Sequence, residues 1–546
     1  MRFVPVAETR TLDARISAIP ALIQHRPALA AIVLGLIAAC AYPPLHLWPL
    51  GLAALAGFVW LIYTAPTKRA ALWLGWCFGW AHLTLANNWI ATAFTHQAKM
   101  PEALGWVAVP LVGIYLAIYP ALAALAAHLL ARRRPLWAFG CVLAGAWVLA
   151  EWARGTFFTG YPWPPLGLML LGGWKAQGAA AVLPWMGTYA LSGLAVLLGT
   201  GIAVNAMRRR VTDMVVPLAA MAFFMHVPVM REQGESNLRY TLVQPLLKQS
   251  EINDASKFEE QFVRLADLTM PGREQSRIVL WPESAIPDYL EDGYPERYYF
   301  QTTAGADPEF ARRRIGAVIG PQSTLLAGVV NLDIAARKDG SLGAVSARNS
   351  VIALNGDGDI AHHYAKAHLV PFGEYLPLRT ILEPLGLSRL VAGSIDYAPG
   401  PGPRTLNLGE HGKAGIQICY EIVFSGAVVD ADNRPDYIFN PSNDGWFGTW
   451  GPPQHLAQAR MRALEEGLPV LRSTTTGISA VIDANGIVRG AIGRGKADKL
   501  EGFVPTALPP TLFARAGHWL TLGWAALFLL LGLGMPRLLA LIHRRG

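Results

Sequence analysis

A chain of 546 residues, 53% hydrophobic and only 15% charged, is too long for one ordinary soluble domain and too poor in charge, the soluble average being about 25%. Its net charge of +8 does not point to nucleic acid, because Lys and Arg stand in short clusters between apolar runs and form no wide basic face interleaved with aromatics. Composition therefore excludes a nucleic-acid partner and leaves an integral membrane protein.

Residues 27–67 contain no Lys, Arg, Asp or Glu, and Pro43-Pro44 divides them into two spans of bilayer length. Further uncharged runs at 70–98, 103–131, 135–150, 176–207, 214–230 and 516–536 bring the expectation to about eight transmembrane helices, 135–150 being the shortest. Arg10, Arg15 and Arg26 precede the first span, and Lys68-Arg69, Arg132-Arg133-Arg134, Arg208-Arg209-Arg210 and Arg544-Arg545 follow every second one. By the positive-inside rule both termini face the cytoplasm. The expected organisation is a membrane domain over 1–229 with about seven helices, an extracytoplasmic catalytic domain over 230–514, and a last transmembrane helix with a cytoplasmic tail over 515–546. Arg26, the apolar stretch and Ile37-Ala38-Ala39-Cys40 imitate a lipoprotein signal peptide, but the run continues into a second span, which favours an uncleaved helix.

The polar segment alternates short apolar strands with helices. Strands are expected at Tyr240–Val243, Ile278–Trp281, Ala317–Ile319, Leu326–Val330, Val351–Leu354, Gly415–Cys419 and Tyr437–Phe439, and helices at Phe258–Met270 and Gln454–Glu466. Asn355-Gly356-Asp357-Gly358 and Asp483-Ala484-Asn485-Gly486 read as hairpin turns. Such alternation predicts an α/β sandwich with helices packed on sheets.

Three of the four cysteines, Cys40, Cys77 and Cys141, lie inside apolar runs, where a thiol is a small buried hydrophobe. Cys419 alone is in the polar segment, so that segment holds no internal disulfide, and the spacing matches no zinc pattern; no structural metal is expected. Glu283, Lys366 and Cys419 each stand at the end of an expected strand, where open α/β folds build sites. Singly, each has a plain structural explanation. Together they supply a thiol, a carboxylate to take and return its proton, and a cation to stabilise thiolate and oxyanion, which is what thiol-based acyl transfer needs without metal or nucleotide cofactor. Asp444 and His455 read either as supports of such a site or as caps of the helix near Gln454; Asn87, Asn88, Tyr161 and Trp163 read either as lipid contacts or as packing.

These segments resemble the nitrilase, or carbon-nitrogen hydrolase, superfamily, and most closely its membrane branch, the apolipoprotein N-acyltransferases. The resemblance is carried by Trp281-Pro282-Glu283-Ser284, by Tyr364 to Glu374, by Cys419-Tyr420-Glu421, by Ser442 to Gly448, by Gln454-His455 with Ala459 to Glu465, and in the membrane part by Ala41-Tyr42-Pro43-Pro44 and Thr159 to Trp163. One departure follows Gln244: the family often continues into Gly-Asn and a nearby Trp, whereas here Pro245-Leu246-Leu247 follows and the nearest aromatic is Phe258. The resemblance implies a nitrilase-like αββα sandwich carried by the transmembrane helices. It implies Cys419 as nucleophile, Glu283 as proton acceptor and Lys366 as oxyanion partner, with Glu374, Tyr420 and Glu421 supporting them. It further implies transfer of an acyl chain from a membrane phospholipid to the amino group of diacylglyceryl-cysteine on an apolipoprotein, at the periplasmic face of a bacterial inner membrane. The alternatives are a membrane-tethered amidase or nitrilase using the same triad, and a transporter or receptor with a large ectodomain, which would require charged residues paired within the spans.

The segment Leu376–Ala392 is too polar to span a bilayer and too apolar for water, and Pro377, Pro384, Gly386 and Gly393 interrupt any long helix. It is expected to be either a flap dipping into the membrane interface or a set of leucines packed on the core.

Overall fold

The computed structural model describes residues 25–96, 101–210, 212–229, 231–336, 340–385, 389–390 and 395–545. Every apolar run of the sequence carries helix. Among the described residues four helices are long and apolar enough to cross a membrane: Leu104–Ala131, Leu136–Thr156, Thr188–Met207 and His518–Pro536. Pro27–Ala39, Trp48–Tyr63 and Thr212–His226 are shorter, and Lys68–Ala86 fills the run between the second and the fourth. The 13 residues of Pro27–Ala39 rise only about 20 Å, short of a hydrocarbon core of about 30 Å. The helix Leu104–Ala131 turns Trp106, Leu111, Leu122 and Leu129 outward, an apolar surface suited to lipid rather than water.

Two runs differ from expectation. The one expected to stop at Ala150 continues to Thr156 and carries Glu151 and Arg154, both buried. The charges do not end the helix because they are satisfied inside the protein. Trp147 Nε1 and Leu166 N donate to Glu151 Oε1 at 3.0 and 2.8 Å, and Arg154 donates to the carbonyls of Trp163 and Pro164 at 3.1 and 2.9 Å. In the run from 176 to 207, the long helix begins only at Thr188, after the single helical turns Ala179–Val182 and Leu183–Met186. Gly178 and Gly187 take positive φ values of 65° and 75° and fold the preceding residues into short turns.

The polar part contains two six-stranded sheets, ordered β12-β1-β2-β3-β4-β5 and β11-β10-β9-β8-β7-β6. In the first, β1 (Glu235–Gln244), β2 (Arg277–Leu280) and β3 (Ser323–Ala336) run parallel, and β4 (Leu342–Asn355), β5 (Ile360–Ala365) and β12 (Asp498–Pro505) join antiparallel. In the second, β7 (Lys413–Ile416), β8 (Tyr437–Ser442) and β9 (Val470–Thr474) are parallel, flanked by β6 (Thr405–Asn407), β10 (Ser479–Ile482) and β11 (Val488–Ile492). Strand periodicity divides the side chains between layers. Leu242, Leu280 and Leu326 meet Ile416, Phe439 and Leu471 between the sheets. Val243, Val279 and Leu325 pack outward on Leu265 and Ile315 from the helices Phe258–Thr269 and Pro308–Ile319. Because both faces are covered, these strands read as continuous apolar runs. The result is a helix-sheet-sheet-helix sandwich.

Its second outer helix, Gly451–Glu466, joins the sandwich to the membrane helices. Leu456, Ala459 and Ala463 face the sheets, whereas Ala457, Met461 and Leu464 pack in the core of the helical part. Its charges are paired across that junction. Buried Arg460 donates to the carbonyls of Gly172, Gly173, Ala176 and Gly486, each at 2.8 Å. Glu465 Oε1 accepts from Thr188 N at 2.6 Å and from Ser425 Oγ at 2.8 Å.

The hairpins at Asn355–Gly358 and Asp483–Gly486 join β4 to β5 and β10 to β11 as expected. Ala317–Ile319, expected as a strand, is instead the end of the helix Pro308–Ile319. Asp307 caps that helix through the amides of Glu309 and Phe310, and Ala311, Ile315 and Ile319 recur at helical spacing on its buried side. Of the segment Leu376–Ala392, residues 386–388 and 391–392 lie outside the described residues. In the rest, Leu376 is buried while Leu378 and Ile381 are 69% and 59% exposed.

Candidate active site

Each of the three residues in the sequence-derived triad sits just past a strand. Glu283 follows β2 in a turn gripped by β3: Trp281 N donates to Leu326 O at 2.9 Å and Gly328 N to Pro282 O at 3.1 Å. A Cβ on Gly328 would lie 2.6 Å from the Glu283 Cα, so only glycine lets the strand approach this closely. Lys366 follows β5, its backbone tied to Asn349 O at 2.9 Å and to Gly400 N at 2.7 Å. Cys419 leaves β7 and opens the 3-10 turn Cys419–Val423 with φ at +50°, a left-handed conformation that side chains other than glycine adopt only under constraint.

Sheet packing brings the three together. Lys366 Nζ lies 3.0 Å from Glu374 Oε1 and 3.7 Å from Glu283 Oε1. Asn349 Nδ2 donates to both carboxylates, at 2.7 Å to Glu283 and 2.9 Å to Glu374. The second Glu283 oxygen accepts from Asn443 N at 2.7 Å, and the same amide faces the Cys419 thiol. Glu374 Oε2 accepts from Val370 N at 2.8 Å. Glu421 crosslinks the lysine and cysteine segments. Its Oε1 accepts from Ala367 N at 2.7 Å and its Oε2 from Ile418 N at 2.8 Å, and Tyr364 OH donates to both. The Tyr420 ring packs on Phe424 and faces Tyr161, which comes from the helical part.

Burial sets the electrostatics. It pushes the Cys419 thiol well above its ordinary range, reinforced by the Glu283 carboxylate and only partly offset by Lys366. Burial pulls the Lys366 ammonium down, but Glu374, Glu283 and Cys419 together outweigh it and hold the lysine cationic. Burial also lifts Glu421 to about 7 despite its donors. The resting arrangement is therefore a thiol beside a carboxylate and a fixed cation, which can transfer the thiol proton locally and stabilise an oxyanion.

The structure gives the other polar residues definite places. Asp444 does not cap the helix near Gln454, which begins at Gly451; it accepts from Arg472 Nη2 at 2.7 and 2.8 Å and lies 3.0 Å from His455 Nδ1. Asn87 donates to Leu83 O in its own helix and accepts from Tyr161 OH at 2.8 Å. Trp163 is fully buried: its indole donates to Gln454 Oε1 at 2.8 Å, and its ring lies against Trp89, Phe447 and His455. Sequence reasoning missed Asn349. The strand expected over Val351–Leu354 begins at Leu342, so Asn349 is one polar residue of a long hairpin, with no local signal setting it apart.

Family comparison matches residues 34–201 to the apolipoprotein N-acyltransferase N-terminal domain and 242–500 to the carbon-nitrogen hydrolase domain. An apolipoprotein N-acyltransferase of Rhodopseudomonas palustris is 32% identical over 517 residues, covering 90% of this chain and 92% of that protein. One of Caulobacter vibrioides is 33% identical over 503 residues, covering 88% and 89%. Among solved structures, an amidase of the nitrilase superfamily from Nesterenkonia is 17% identical with a TM-score of 0.35, covering 53% of this chain and 98% of that one.

Proposed function

The chain belongs to the apolipoprotein N-acyltransferase family, and on that premise we propose that it moves an acyl chain from a membrane phospholipid, through a thioester on Cys419, to the N-terminal amine of diacylglyceryl-cysteine on an apolipoprotein. The observation that supports this reading is the meeting of Cys419, Glu283 and Lys366 in a buried site whose wall includes Tyr161 from the helical part. The N-terminal domain match favours it over a membrane-tethered amidase.

Glu283, aimed by Asn349 and the Asn443 amide, takes the Cys419 proton as the sulfur attacks the ester carbonyl carbon. Negative charge collects on the carbonyl oxygen, opposite Lys366 and the Tyr420 N–H. Collapse breaks the carbon-oxygen bond, and the departing lysophospholipid oxygen takes the proton from Glu283. The acceptor amine then attacks the thioester, Glu283 receives an amine proton and returns it to the departing thiolate, and an amide and a free thiol result. Glu374, Tyr420 and Glu421 support the three reacting groups.

As a membrane protein of a bacterial family, the chain is read as spanning the inner membrane with about eight helices, divided at 1–229, 230–514 and 515–546, with the sandwich in the periplasm. Both substrates then stay in the outer leaflet of that membrane, and no acyl chain crosses water, where each exposed CH₂ costs about 0.8 kcal/mol. Intact mass after incubation with phospholipid vesicles tests the chemistry. An acyl-sized increment is expected on the unaltered protein and on the alanine variants of Cys40, Cys77 and Cys141, and none on Cys419→Ala. An increment that survives Cys419→Ala overturns the proposal.

A further inference from the structure

His455 is completely buried and takes no part in the proton transfers above. Its Nε2 lies 3.0 Å from the carbonyl oxygen of Cys419. A carbonyl oxygen only accepts, so Nε2 carries a proton and donates it. With Nε2 carrying the proton, the other ring nitrogen of the neutral imidazole accepts from Arg472 Nη2 at 3.0 Å, and Asp444 Oδ1, also 3.0 Å away, holds that guanidinium. Arg472 is itself anchored on Asp444, on Ser442 Oγ at 2.9 Å and on Asn440. Trp163 and Phe447 pack against the ring, with centroids 5.0 and 5.5 Å away. The imidazole has one orientation available, fixed by the second sheet on one side and by a tryptophan of the helical part on the other.

The peptide bond between Cys419 and Tyr420 is planar and trans, so its oxygen and its N–H point in opposite directions. Holding the oxygen on the His455 side turns the Tyr420 N–H the other way, and among the described residues that N–H has no backbone acceptor outside the turn Cys419–Val423. Cys419 stands at φ +50°, where its backbone needs outside support. We propose that His455 is a positioning residue for acyl transfer: by anchoring the Cys419 carbonyl it aims the Tyr420 N–H at the oxyanion. Asp444 and Arg472 act through it, by fixing the ring. This inference rests on the acyl-enzyme reading of Cys419.

Alkylation of a thiol by iodoacetamide forms no oxyanion, whereas acylation by an ester does, so the two reactions separate a misaimed N–H from a damaged thiol. His455→Phe keeps the ring packing but donates nothing. It is expected to slow acylation of Cys419 by phosphatidylethanolamine–phosphatidylglycerol vesicles about ten- to a hundredfold, a part of what loss of a whole oxyanion donor costs, while leaving iodoacetamide alkylation unchanged. His455→Gln, whose amide can donate to the same oxygen, is expected to recover a large part of the rate. Unchanged acylation in His455→Phe, a parallel fall of acylation and alkylation, or a Gln variant as slow as Phe each overturns the inference. If His455→Phe does not fold, His455→Met replaces it under the same criterion. An unaltered protein that takes no acyl group on Cys419 refutes the acyl-enzyme reading and this inference with it; a normal unaltered protein with unsplit variants refutes the inference alone.

Discussion

Glu283 and Lys366 act on the Cys419 thiol with opposite sign. The carboxylate raises the thiol because a second negative charge beside it is unfavourable, and the ammonium lowers it. Glu283→Gln should therefore move the pH profile of iodoacetamide alkylation of Cys419 to lower pH, and Lys366→Met should move it to higher pH. Both should nevertheless lose acylation. Removing the proton acceptor costs about 10²–10⁴ in rate, and removing an oxyanion partner about 10²–10³. Profiles that shift the same way, or a variant acylating at the normal rate, would take that residue out of the triad. Asn349 belongs in the same experiment, since it aligns both carboxylates through one amide.

Among the elements, the helix Gly451–Glu466 carries the most consequence, because it is packed on the sheets and on the membrane helices at once. Arg460→Ala would remove the guanidinium donor from the carbonyls of Gly172, Ala176 and Gly486, and would leave Gly173 O only the Ala176 N–H. A loss on the order of 3 kcal/mol is expected, seen as a lower thermal midpoint in detergent; an unchanged midpoint would mean that water replaces the guanidinium freely. The segment after Glu374 is the opposite case. Leu378 and Ile381 are exposed, and Leu378 takes a φ of +48° at the start of a short helix. If this segment meets lipid, Leu378→Ser with Ile381→Ser should impair acylation from vesicles and leave alkylation by iodoacetamide intact. Vesicle acylation at the normal rate would remove the segment from lipid handling.

For the whole molecule the decisive question is orientation. On the proposed reading, the alternating Lys and Arg clusters predict a sandwich outside the cytoplasm. Alkaline phosphatase fused near residue 350 should be active and a cytoplasmic reporter fused there inactive; the reverse result would overturn both the orientation and the substrate assignment. The buried Glu151 and Arg154 do not revive the transporter reading. They lie 3.8 Å from each other, their hydrogen bonds go to backbone and indole groups that fasten the Trp163 loop beneath the site, and they line a cavity of only about 10 Å³, too small for a transport path.

The sequence alone determined the features that depend on local pattern: apolar runs long enough to demand lipid, turn residues at both hairpins, and motifs that single out Glu283, Lys366 and Cys419. Local pattern failed where a tertiary partner was decisive. Ala317–Ile319 is too short for its period to distinguish strand from helix, and burial against the first sheet decided for helix. Glu151 and Arg154 suggested the end of a span, but the loop 9 to 15 positions further on folds back and satisfies them. Asn349 and His455 gained their roles only when sheet packing set one beside two carboxylates and the other beneath the Cys419 carbonyl. The contacts of Asn349 and His455 join residues 25 to 66 positions apart, and no spacing in the chain encodes them.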